Sequence, residues 1–278
     1  MQKVKIFMFT TATNPARVVS QNWLNCSGLD YTTIVSKPEQ VELAEALNCA
    51  NVTCCDVSST PWMRRLLTVR KRVLQQKVNK GEWALFVNDN ILNFNLLRSD
   101  LDKQDFKTRT STEWREAYRE PVKPQRVSYL LHALQQKCIE TGATYGGFGD
   151  ASGNYYFSPS RWSLGSYVIG DVCLTRKTEE FWVPAGYTIF DDWYNTCLSL
   201  ANTGSVVSLR YASKTKLVTS NGGIGTEAQR TPHKIEDAKL LIKRFPGLIG
   251  YHQDREDCLQ LKKRKRQLEL WRKENQYL

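Results

Sequence analysis

The chain has 278 residues, 41% apolar and 24% charged, with eight tryptophans, twelve tyrosines and ten phenylalanines, which is ample core material for one large α/β domain. No apolar run approaches the roughly 18 residues needed to cross a bilayer, and the opening residues, with Lys3 and Lys5 ahead of a short apolar stretch, lack the long apolar centre and small-residue cleavage site of a secretion signal. The net charge of +11 is concentrated: residues 61–80 carry seven basic and no acidic side chains, and residues 259–278 seven basic and two acidic, while 81–258 balance at 21 each, so two short segments bear the footprint of a polyanion partner, either phosphate groups or nucleic acid.

In chain order, residues 3–11 (KVKIFMFTT) read as a buried strand, and Asn14-Pro15 breaks it before a helix reaching Trp23. Residues 31–36 (YTTIVS) form a second strand, 38–47 a helix with Glu39, Glu42 and Glu45 outward, and 52–56 a third strand. Ser58, Ser59, Thr60 and Pro61 supply a helix start, followed by a basic helix over 62–80. Residues 83–87 (WALFV) are a fourth strand that ends on Asn88-Asp89-Asn90. This alternation predicts a mainly parallel sheet with helices on both faces, in which ligands gather at the carboxyl ends of the strands. Residues 99–124 are polar and read as an insertion or lid. Beyond them the pattern predicts a helix over 128–141, glycine- and aromatic-rich hairpin material over 146–162, a strand over 168–175, a helix from Phe190 to Asn202, a strand over 206–209, a glycine-bearing loop, a helix over 235–245 and a basic helix over 254–275.

Three places stand out for chemistry. Asp89, directly after a buried strand, suits a hard divalent cation, Mg²⁺ or Mn²⁺, with Asn88 or Asn90 adding a carbonyl or water contact; an Asx turn closing the strand explains the same residues. Asp191-Asp192 opens a helix, where the pair serves either the helix dipole or as a general base for an acceptor hydroxyl. On the basic helix, Leu66, Leu67, Val69, Val73, Leu74 and Val78 mark an apolar face into which Arg70 and Lys77 fall. A guanidinium there needs a partner, either a bound diphosphate or a structural ion pair. Outward Arg64, Arg65, Lys71 and Arg72 form a strip for a nucleic-acid backbone or a plainly solvated face, and Lys262, Lys263 and Arg264 within the 262–266 run admit the same two readings. His233 is a further candidate metal ligand or a structural histidine. The eight cysteines include no CxxC pair, as expected of buried, reduced thiols in a cytoplasmic protein.

The order of these segments resembles the TET-associated glycosyltransferases, GT-A-like enzymes found in phages and in some eukaryotic contexts and linked to glycosylation of hydroxymethylated pyrimidines in DNA. Thr10-Thr11 with Arg17 is similar to that family's first donor-binding segment, Thr68-Val69-Arg70 to its A-R-N segment, and residues 83–94 (WALFVNDNILNF) to its strand ending in D-D-N. Phe190 to Trp193, with Gly222, Gly223 and Arg230, is similar to its acceptor-side half. Two departures are Asn88 in place of the first aspartate and Lys71 in place of the asparagine. The resemblance implies one GT-A-like domain over residues 1–252, with a nucleotide-sugar half (1–98), a lid (99–127) and an acceptor half (128–252), followed by a basic helix over 253–278. It also implies a UDP-sugar donor held by Thr10, Thr11, Arg17, Arg70, Asn88, Asp89 and Asn90, a divalent cation on Asp89, and Asp192 or Asp191 as base. The acceptor would be a base such as hydroxymethylcytosine in DNA, in the host cytoplasm for a bacteriophage enzyme. The rival expectations are a nucleic-acid-binding protein without catalysis on the same scaffold, and a glycosyltransferase acting on protein or glycan.

Overall fold

Alternation along two central strands builds the layers. The computed structural model describes residues 3–97, 119–150, 162–178, 184, 186–217, 226–253 and 255–262. In strand β1 (Val4–Phe9), Ile6 and Met8 enter one core while Phe7 and Phe9 enter another. In β4 (Trp83–Asn88), Trp83, Leu85 and Val87 join the first core, and Ala84 and Phe86 the second. A strand buried on both faces needs helices above and below it. Helices α1 (Ser20–Ser27), α2 (Gln40–Ala46) and α4 (Val127–Thr141) contribute Trp23, Leu24, Ala44, Leu130, Leu131 and Leu134 to one core. Helices α3 (Trp62–Lys77), α5 (Asp191–Thr203) and α6 (Glu227–Arg244) contribute Leu67, Val73, Leu74, Tyr194, Leu198 and Leu241 to the other.

The sheet is mixed. With β2 (Tyr31–Val35) and β3 (Thr53–Cys54), the order β3-β2-β1-β4 is parallel throughout. Next comes β9 (Val172–Arg176), antiparallel to β4, then β7 (Tyr145–Asp150) and β10 (Val207–Lys216), parallel to each other, and finally β5 (Ile91–Leu97) and β6 (Arg119–Pro121). The short β8 (Trp162–Ser163) pairs antiparallel with β10. The chain is therefore an α/β protein with a large mixed sheet flanked by helices. No helix among the described residues is long and apolar enough to cross a membrane.

Several elements differ from the sequence reading. The stretch through Trp23 is a 3-10 turn (Pro15–Arg17) and then α1. Of the hairpin expected over 146–162, residues 151–161 lie outside the described residues; its two ends supply β7, between β9 and β10, and the start of β8, which also pairs with β10. Helix α6 begins at Glu227, capped by a reciprocal Thr226–Gln229 box, and carries Pro232 inside it. The helix expected from residue 254 is, as far as it is described, strand β12 (Arg255–Leu261), paired with β11 (Ile249–His252) and burying Leu259 in the core beside α6. Residues 263–278 and 98–118 lie outside the described residues. Lys77, expected on the buried face, is instead exposed at the last residue of α3.

Candidate functional site at the carboxyl edge of the sheet

From β1 the chain steps to β2 on one side, and β4 pairs on the other, so the strand order reverses between β1 and β4. The carboxyl ends at such a reversal leave a crevice. The residues that follow these two strands meet there: Thr10 Oγ1 donates to Asp89 Oδ2 at 2.8 Å. The turn carrying Asp89 is pinned from α1, whose unpaired first amides need acceptors. Val19 and Ser20 N–H donate to the Asp89 carbonyl at 2.8 and 3.0 Å, and the buried Ser20 hydroxyl donates to Asn88 O and accepts from Ile91 N–H. Burial raises the Asp89 carboxyl above its ordinary range, against the lowering effects of the Thr10 hydroxyl and the Arg17 charge. Arg17 is partly buried, with its Nε enclosed and without a hydrogen-bond partner. Thr11 is exposed and bonds with Thr13.

Beside this turn lies a charge network that sequence reading only half anticipated. Arg70 is 2% exposed. Its Nη1 reaches Asp191 Oδ2 at 2.8 Å, its Nη2 reaches Asn88 Oδ1 at 2.7 Å and the Gly170 carbonyl at 2.9 Å, and the rings of Phe9 and Phe86 lie 5.5 and 5.9 Å from its guanidinium carbon. Burial alone would depress this guanidinium; the Asp191 carboxylate outweighs it and holds the group above its ordinary value. This is the ion pair with an aspartate: both Nη atoms of Arg70 are engaged by the protein, and its enclosed Nε has no hydrogen-bond partner. The network continues from Asn88 Nδ2 to Asp171 Oδ1 at 3.1 Å and from Asp171 Oδ2 to Lys216 Nζ at 3.0 Å.

At the start of α5, Asp192 accepts from the Tyr167 hydroxyl, from Gly170 N–H at 3.3 Å and from Trp193 N–H at 2.7 Å, under a Tyr167–Trp193 ring stack 4.1 Å apart. Burial, and then the neighbouring Asp191 charge, raise Asp192 to about 7 despite these bonds. Gly170 makes this approach possible: a Cβ there would stand 3.1 Å from Asp192 Cβ and 3.5 Å from Arg70 Nη1. The segment before α5 is clamped from α6, where fully buried Asp237 accepts from the N–H groups of Thr188, Ile189 and Phe190 at 2.6–3.0 Å.

The structure thus gathers Thr10, Asp89, Asn88, Arg70, Asp191 and Asp192 along one edge. Asn90 is there too, joined to the end of β10 by its Nδ2 donating to Leu217 O at 3.1 Å and by Leu217 N–H donating to its own carbonyl at 2.8 Å. His233 does not join them: it pairs with Glu236 on its own helix at 3.8 Å and not with Asp89, and no three His, Cys, Asp or Glu side chains gather to hold a metal among the described residues. The proposed nucleic-acid strip is partly occupied by local bonds. Arg64 donates to Thr188 Oγ1, Arg65 to the carbonyls of Thr60 and Ser58, and Arg72 to that of Asp56, while Lys71 is partly exposed. Lys262 donates to Tyr251 O; Lys263 and Arg264, like Gly222 and Gly223, lie outside the described residues. Sequence reading missed Ser20, Tyr167, Gly170, Asp171, Lys216 and Asp237, residues with no motif whose roles come from the fold. For Asp171 alone a signal existed, a carboxylate at a strand start.

The chain matches no protein-family model and no curated protein. What fold and site define is the class: a mixed-sheet α/β protein with polar and charged side chains gathered at a strand-order reversal.

Proposed function

We propose that this chain is a GT-A-type glycosyltransferase that moves a sugar from a nucleotide donor, a UDP-sugar, to a hydroxyl acceptor, with a hydroxymethylated pyrimidine in DNA as the acceptor. The observation that carries the reading is Asp89 at the reversal point, a part-buried carboxylate bonded to Thr10 with the enclosed, unpartnered Arg17 Nε as its neighbouring charge. A carboxylate that burial pushes toward protonation is one that a cation restores to its charged form, and a buried guanidinium N–H without an acceptor suits a phosphate oxygen. These residues fit a divalent cation with a diphosphate. Asp89 would hold the cation, and phosphate oxygens and water would complete its shell, since no group of three His, Cys, Asp or Glu side chains able to hold a metal occurs among the described residues.

Bound there, the cation would supply Lewis-acid stabilisation of the departing diphosphate. The chain's own residues do the rest. Thr10 orients Asp89, and Arg17 binds phosphate. Arg70, enclosed, holds Asn88 and Asp191 in place instead of touching the donor. Asp192, poised near neutral pH, takes the proton of the acceptor hydroxyl. The basic segments guide DNA, whose target base must be unpaired or flipped out to reach the crevice.

The test is donor hydrolysis and transfer with a panel of nucleotide sugars, with and without Mn²⁺, on DNA containing hydroxymethylcytosine. Asp89→Ala is expected to abolish metal-dependent turnover; full retention would refute the assignment. The rival without catalysis, on which Asn88 bears because both ends of its amide are engaged by Arg70 and Asp171, expects salt-dependent DNA binding and no donor affinity.

A further inference from the structure

Besides Arg17, two cations reach this edge, Arg70 from the interior and Lys216 from nearer the surface, and they differ in exposure. Arg70 is enclosed at 2% side-chain exposure, whereas Lys216, the last residue of β10, keeps 29% of its side chain exposed, with Asp171 at 19%. The backbone beside Lys216 is tied to the turn that carries Asp89 by the paired bonds between Leu217 and Asn90. Its Nζ lies 3.0 Å from Asp171 Oδ2. The other oxygen of Asp171 accepts from Asn88 Nδ2, so Asp171 keeps a hydrogen bond if the lysine leaves.

We propose that Lys216 is a phosphate-binding cation for the donor's diphosphate, resting on Asp171 when the site is empty and transferring to a phosphate oxygen when the nucleotide binds. The inference rests on the glycosyltransferase reading and adds to it a residue from the far end of the sheet. Water reaches both partners of the pair, which weakens their attraction relative to an enclosed one and lets a stronger anion compete for the lysine. A charge-assisted bond to a multiply charged diphosphate is the stronger partner, and the flexible four-carbon stem of lysine permits the transfer. Asn88 suits the device. A carboxylate at that position would face Asp171 at hydrogen-bond distance, whereas the amide donates to it and leaves Asp171 a stable acceptor after the exchange.

The experiment is calorimetric titration of UDP, inorganic pyrophosphate and uridine into the full-length chain, with and without Mg²⁺. It compares the native protein with Lys216→Ala, Lys216→Arg and Asp171→Asn, each checked by thermal melting. Lys216→Ala is expected to weaken UDP and pyrophosphate by about tenfold or more while leaving uridine unchanged, as loss of one charge-assisted bond implies. Lys216→Arg should recover most of that loss, and Asp171→Asn, which removes the competing anion, should bind as tightly as the native chain or more so. Lys216→Ala binding UDP and pyrophosphate undiminished overturns the proposal. So does Asp171→Asn weakening both as Lys216→Ala does, because the pair would then be purely structural. An equal loss with a DNA oligonucleotide moves the lysine to the nucleic-acid backbone and also overturns it. Pyrophosphate bound through Lys216 with UDP no tighter supports the phosphate site while sinking the nucleotide-sugar reading, and a native chain that binds neither overturns both.

Discussion

Asp192 shows how one side chain's surroundings decide its chemistry. Three donors surround it, yet burial and the adjacent Asp191 raise it to about 7. Its folded-state value lies above the unfolded one near 3.9, so the folded protein holds a proton there that the unfolded chain releases. The stabilisation is complete below the unfolded value and is lost as pH rises toward 7. Asp192→Asn should therefore flatten the decline in stability between roughly pH 4 and 7, as read from urea melts across that range. It should also remove the rise in transfer rate through pH 7 expected of a base with that value. A variant whose rate still climbs through neutrality would assign the base elsewhere. Asn88 makes the complementary point: its amide accepts from Arg70 and donates to Asp171 at once, which an ionised carboxylate could not do.

Helix α6 touches no candidate catalytic group, yet it decides where α5 begins. Asp237 gathers three successive backbone N–H groups just ahead of Asp191. Asp237→Ala would leave these donors buried without an acceptor, at a cost of about 3 kcal/mol or more. A lower urea midpoint with an unchanged slope would show it, and the displaced start of α5 should lower turnover more than donor affinity. The element also explains a limit of sequence reading. An aspartate in the middle of a charged helix looks like a solvated residue, and only packing of that helix against the segment before α5 reveals a clamp. Conversely, the helical spacing of α3 correctly placed Arg70 on the buried face, because periodicity indicates which side of a helix faces the core, although it put Lys77 there as well and that residue is exposed.

Across the molecule, the excess charge lies on α3 and beyond β12. On α3, three of the four proposed backbone-binding cations already bond to neighbouring oxygens. Lys262 likewise donates to Tyr251 O, so the proposed DNA affinity should depend most on Lys263 and Arg264 beside it. Replacing both with alanine is expected to reduce the slope of log affinity against log salt by about 0.9 for each phosphate that the variant no longer neutralises. An unchanged slope would exclude that segment from the nucleic-acid surface.

By itself the sequence determined the parallel β-α alternation of the first ninety or so residues, the two-faced burial of β1 and β4, and the position of Asp89 at a strand end. These follow from local periodicity and from the short connections that join parallel neighbours. Only the tertiary structure decided that β7, β9 and β10 share the same sheet, that β12 is a strand, and that Gly170, Asp171, Lys216 and Asp192 converge on Asn88 and Arg70. Strand pairing and charge pairing join residues far apart in the chain. Such pairings leave no period in the sequence, because each side chain's partner is chosen by the fold and not by its neighbours.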